Sequence, residues 1–118
     1  MFVLNFYSPV FVDQLRRHRK TATIRLGDKS GKYKKGTVVS VLCGVRFGPR
    51  EKVFDAVIDK VDVKALRDLS PREIEHDNPE IRRPEDLASF LSQLYNREIT
   101  EEDTVTVIRF SQIVTRPA

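Results

Sequence analysis

The stretch Lys20-Thr21-Ala22-Thr23-Ile24-Arg25-Leu26 decides how the chain is read. Ala22, Ile24 and Leu26 fall on one side of an extended segment, and Thr21, Thr23 and Arg25 on the other. That alternation is the pattern of a half-buried strand. Its polar side puts two hydroxyls and a guanidinium on one surface. Strict alternation places Lys20 opposite Thr23, unless the strand begins after Lys20 or the long lysine stem curls round its edge.

The strand lies inside the most basic part of the chain. Residues 16–35 contain nine Lys/Arg (Arg16, Arg17, Arg19, Lys20, Arg25, Lys29, Lys32, Lys34 and Lys35) against one acid, Asp28. The remaining residues hold more acids than bases, so the net charge of +4 understates how concentrated the cations are. A neutral-to-acidic body with one cationic segment is the footprint of a polyanion binder. A solvated surface loop gives the same composition.

Working outward, residues 2–6 read as a short strand. Ser8-Pro9 reads as a helix start, with Ser at the N-cap and Pro at the first helical position. Phe11, Val12 and Leu15 give that helix an apolar stripe, and the cations of residues 16–20 suit its negative end. A turn-rich loop, 27–36, follows the central strand. Residues 38–43 read as a buried strand, 47–50 as a turn and 53–63 as a long strand. Residues 66–69 read as a helical turn. Ser70-Pro71-Arg72-Glu73 is a capping box opening a helix that stops near Asn78-Pro79. Arg83-Pro84 opens the clearest helix, in which Leu87, Phe90, Leu91, Leu94 and Tyr95 make one continuous apolar face. Residues 104–114 form a last strand, and 115–118 a loose tail. Five or six strands and three helices without a βαβ rhythm predict an α+β fold, a small curved sheet or barrel with helices at its edge.

The 118 residues, 40% apolar, suit one domain spanning 1–118 with one core. No apolar run is long enough to span a membrane, and residues 1–12 read as structure rather than a signal peptide. One cysteine, Cys43, forms no intrachain disulfide and is expected in the core; with two histidines it makes no familiar zinc spacing. No metal or cofactor is expected, and a reducing, cytoplasmic setting is.

Three blocks in order carry a resemblance: Lys20-Thr21-Ala22-Thr23-Ile24-Arg25, then Lys35-Gly36-Thr37-Val38-Val39, then Asp103-Thr104-Val105-Thr106-Val107-Ile108-Arg109-Phe110. Together they resemble the ASCH domain family of the PUA-like superfamily of small β-barrels, over about residues 2–113. The resemblance implies a role in RNA metabolism. It also implies, for one branch of small bacterial domains, removal of the acetyl group from acetylated cytidine. In that branch the Lys and second Thr of the first block act with an acid from the helical insert. Carried over, these are Lys20 as base, Thr23 as nucleophile and Asp77 as acid/base, with Asp77 standing where the branch has the longer Glu.

Two functional expectations result. The first is a binding module for RNA or a nucleoside, with Arg17, Arg19, Thr21, Arg25, Lys32, Lys34 and Lys35 holding the ligand and Tyr33 stacking on a base. The second is the amidohydrolase, in which Thr23→Ala and Lys20→Ala abolish turnover with the fold intact. A Lys base needs a lowered pKa, which burial and neighbouring cations supply. Taken singly, each residue has a commoner explanation: β propensity for Thr23, a helix-end cation for Lys20, a solvated turn for Asp77.

Overall fold

The computed structural model describes residues 2–7, 10–45 and 48–114. Five strands form one sheet: β1 (Phe2–Phe6), β2 (Ala22–Leu26), β3 (Val38–Gly44), β4 (Arg50–Ala65) and β5 (Thr104–Gln112), in the order β1-β3-β4-β5-β2. Three α-helices accompany them: α1 (Val10–Arg16), α2 (Pro71–Asp77) and α3 (Pro84–Tyr95), with a 3-10 turn at Leu66–Asp68. The expected helix start at Ser8-Pro9, the turn residue Phe47 and the tail 115–118 lie outside the described residues.

β1 runs parallel to β3, and the other three pairings are antiparallel. The long strand β4 bends the sheet. Its register shifts between Ile58 and Lys60 against β5, and β3 shifts against it between Val41 and Leu42. Such irregularities bend a strand and increase its twist. The first part of β4 therefore serves β3 and the remainder serves β5. The result is a curled half-barrel rather than a closed barrel, because no ladder joins β1 to β2 among the described residues.

Two apolar clusters lie on opposite faces of the curl. Inside it, Leu4 and Phe6, Val39 and Val41, Ala56 and Ile58, and Ile108 and Phe110 pack under Phe11 and Leu15 of α1. Outside it, Ile24, Val105 and Val107 pack on Leu66, Leu69, Ile74, Leu87 and Leu91. Neighbouring residues of β5 thus enter different cores, which suits the unbroken β-branched run that opens it, residues 104–108. β2 behaves likewise. Ile24 and Leu26 join the outer cluster, whereas Thr23 pairs with Ile108 and Arg25 with Thr106, turning both toward the interior. The expected half-buried strand is accordingly covered on both faces.

α2 carries the full capping box. Ser70 accepts from the Glu73 backbone N–H, and the Glu73 carboxylate accepts from the Ser70 N–H. α2 delivers its last residue, Asp77, to the edge of β2. α3 begins at Pro84, and its expected apolar face is only partly core. Leu87 and Leu91 are buried, whereas Leu94 is 50% and Tyr95 41% exposed.

Candidate functional site: the seam between the two edge strands

A curled sheet that stops short of closure leaves two edges, each with backbone groups that need partners. In this chain side chains fill the seam. Lys20, 2% exposed, donates its three N–H bonds to Ala22 O (3.0 Å), Asp77 O (2.7 Å) and Asp77 Oδ1 (2.8 Å). Asp77 Oδ1 also accepts the backbone N–H of Ile24 (3.0 Å), and the Thr21 N–H goes to His76 O. The end of α2 thus takes the place of a sixth strand along β2. From β2, Arg25 reaches across the gap and donates from Nη2 to Asn5 O on β1 (2.8 Å), while Arg50 holds the Asn5 side chain.

The strand begins at Ala22, so alternation does not apply to Lys20. Its stem runs inward from the preceding loop and puts the ammonium 4.7 Å from the Phe11 ring centre and 5.1 Å from that of Phe6. Arg25 lies on Phe6 as well, at 4.9 Å. Burial holds Lys20 below the usual lysine range; the Asp77 carboxylate opposes this, and Arg25 adds a minor downward push. Of the neighbouring cations expected to contribute, Arg25 does, and Arg17 and Arg19 are not among the causes.

These residues line a cleft of about 680 Å³ over the seam. Its base is Lys20, Thr23, Arg25 and Asp77; β1 adds Asn5 and Phe6, with Tyr7 just beyond it, and the loop adds Lys29, Lys32 and Tyr33. Phe90, Leu94, Tyr95 and Asn96 supply the wall at the end of α3. Thr23 accepts a hydrogen bond from Arg25 Nε (3.0 Å), which leaves its hydroxyl proton to donate. Among the described residues, Lys20 makes no hydrogen bond to Thr23. Among the described residues Asp77 Oδ2 makes none either, so it is the carboxylate oxygen of Asp77 not already committed to the fold.

Of the residues singled out in the sequence, Lys20, Thr23, Asp77, Arg25, Lys32 and Tyr33 therefore share one cavity, whereas Arg17, Arg19, Thr21, Lys34 and Lys35 do not line it. Arg17 instead pairs with Asp13 one helical turn away. Thr21 lies outside β2 and lines a different cavity. Tyr33 borders the cleft, but its ring is only 6% exposed and packs in the inner core with Lys32 over it, which leaves little face for stacking. Among the described residues, the large exposed aromatics that line the cleft are two that the sequence reading passed over, Tyr7 (43% exposed) and Tyr95 (41%). Tyr95 was hidden by its helical spacing, which made it look like core. Tyr7 follows the last residue of β1, where no pattern marks it.

No protein-family model and no curated protein matches the chain. Solved structures do. An ASCH domain from Lactobacillus crispatus JV V101 is 15% identical, with a TM-score of 0.66 over 92% of this chain and 77% of that one. Protein EF3133 from Enterococcus faecalis V583 is 13% identical, with a TM-score of 0.69 over 96% of this chain and 81% of the other. The hypothetical protein PH0355 is 18% identical, with a TM-score of 0.64 over 96% of this chain and all of its own. The half-barrel with its seam, first signalled by the Lys20–Arg25 block, is the fold of an ASCH domain.

Proposed function

We propose that the seam cleft recognises a nucleobase, either within single-stranded RNA or in a free nucleoside. The observation that carries this reading is the cleft's division of chemistry. Hydrogen-bonding groups fixed by the fold, Thr23 and Arg25, lie at its base, and exposed aromatic rings, Tyr7 and Tyr95, lie among its walls. Rings offer stacking to any base, and fixed polar groups read its edge. Lys29 and Lys32 also line the cleft and are placed to meet a phosphate.

The number of cations at the cleft sets a measurable expectation. Two phosphate contacts on a single strand give a slope of log K against log salt of about −1.4, or roughly a sevenfold loss between 50 and 200 mM. If Arg17, Arg19, Lys34 and Lys35 also contacted phosphates, the slope would approach about −4 and the loss several hundredfold. Titrating a short fluorescent single-stranded RNA at four salt concentrations separates the two. The shallow slope supports recognition in the cleft; no binding at low salt overturns the RNA form of the proposal.

One observation favours amide hydrolysis as a second reading: Lys20, Thr23 and Asp77 lie in the same cavity. Lys20, with three donor bonds, acts there as a fixed cation that orients Asp77. The hydroxyl proton of Thr23 needs another acceptor, and Asp77 Oδ2 is the uncommitted one. Release of cytidine from acetylcytidine, without any polymer and dependent on the Thr23 hydroxyl, distinguishes this chemistry from binding alone.

A further inference from the structure

The chain has two histidines, and both line one cavity of about 500 Å³ that shares only Lys20 with the proposed nucleobase site. His18 comes from the turn after α1, where it takes the left-handed backbone conformation (φ 58°), and His76 comes from α2. Arg109 of β5 and Thr21 join them, and Asp59 and Ser111 line the cavity as well. Neither imidazole nor the Arg109 guanidinium has a hydrogen bond or ion pair among the described residues. Asp59, the carboxylate lining the cavity, accepts from the Ser111 hydroxyl. Lys20 also borders the cavity, but its three N–H bonds are spent in the seam. Among the described residues no group of His, Cys, Asp or Glu is arranged to hold a metal ion. Unpartnered N–H donors, one set of them on the Arg109 guanidinium, around a hydroxyl make a site for an oxyanion, not for a cation.

We infer that the cavity bounded by His18, Thr21, His76 and Arg109 binds a phosphate group, carried by a free nucleotide or by the backbone of RNA. The inference is independent of whether the seam cleft takes a base. Arg109 contributes a permanent charge, and the imidazoles contribute ring N–H donors. Asp59 opposes an anion, and its bond from Ser111 disperses part of its charge.

Imidazole proton NMR tests this directly, because only two histidines contribute signals. Sulfate is the first probe, as a simple oxyanion of fixed charge. Sulfate is expected to shift the resonances of both histidines saturably. Arg109→Ala should abolish the saturable shift, and Thr23→Val, in the other cavity, should retain it. Cytidine 5′-monophosphate reproducing the effect assigns the site to free phosphates. A four-nucleotide single-stranded RNA doing so where the mononucleotide does not assigns it to the backbone. Unshifted imidazoles with every probe, or a shift that survives Arg109→Ala, overturns the inference.

Discussion

Replacing Asp77 with Ala is expected to lower the unfolding free energy by about 3–5 kcal/mol, read from urea unfolding. The cause is the ammonium left behind. Lys20 is buried, and two of its three hydrogen bonds go to Asp77. The backbone carbonyl can stay, but the carboxylate that offsets the charge is lost, along with the acceptor of the Ile24 N–H on the edge of β2. Adding Lys20→Met should recover part of the loss, so the double variant should lie well above the sum of the single effects. Groups in direct contact couple in this way. The same geometry revises the expectation that Lys20→Ala leaves the fold intact: it removes three hydrogen bonds and a buried stem at the seam. The pH dependence has a defined sign. Because Lys20 is held below its ordinary value of 10.5, the unfolded chain binds more protons between the lowered value and 10.5. Stability contributed by this group therefore rises with pH in that alkaline window and is constant below it. Wild type should gain on Lys20→Met there as pH increases.

The largest effect on binding is expected at the two exposed rings. Tyr7→Ala and Tyr95→Ala should each weaken binding of a single-stranded RNA or nucleoside by about 1–3 kcal/mol, or about fivefold to more than a hundredfold. Both should leave urea unfolding little changed, since each ring is already substantially in solvent. Tyr33→Ala should do the reverse and cost about 3–5 kcal/mol of stability, because that ring is part of the inner core. Comparing the three by fluorescence anisotropy and urea unfolding separates stacking from packing. Equal binding by wild type and both exposed-ring variants would remove stacking from the proposal.

The sequence carried the strands and helices well, because each had a local signal. The capping box at Ser70, the Pro84 helix start and the alternation around Ile24 all have counterparts in the structure. The half-barrel was less legible, since the pairing of β2 with β5 joins segments some eighty residues apart and the bends in β4 have no sequence marker. The Lys20 geometry was left open by alternation, and it is settled by where β2 begins. Cationic composition was a poor guide to the cleft. Charge density says which segment is basic, but not which side chains turn toward a cavity; Lys32 does, and Lys34 and Lys35 do not line it. The aromatic wall was missed because an apolar face at helical spacing describes both a core helix and one whose last turn leaves the core.

The most direct measurement is an amide NMR titration of the isotopically labelled protein with acetylcytidine and, separately, with a short single-stranded RNA. Recognition in the seam predicts that the largest saturable changes cluster at Thr23, Arg25, Asp77, Tyr95 and Asn96, with Lys29 and Lys32 responding further when phosphates are present. Changes confined to Arg17, Arg19, Lys34 and Lys35, with the seam residues unmoved, would contradict it.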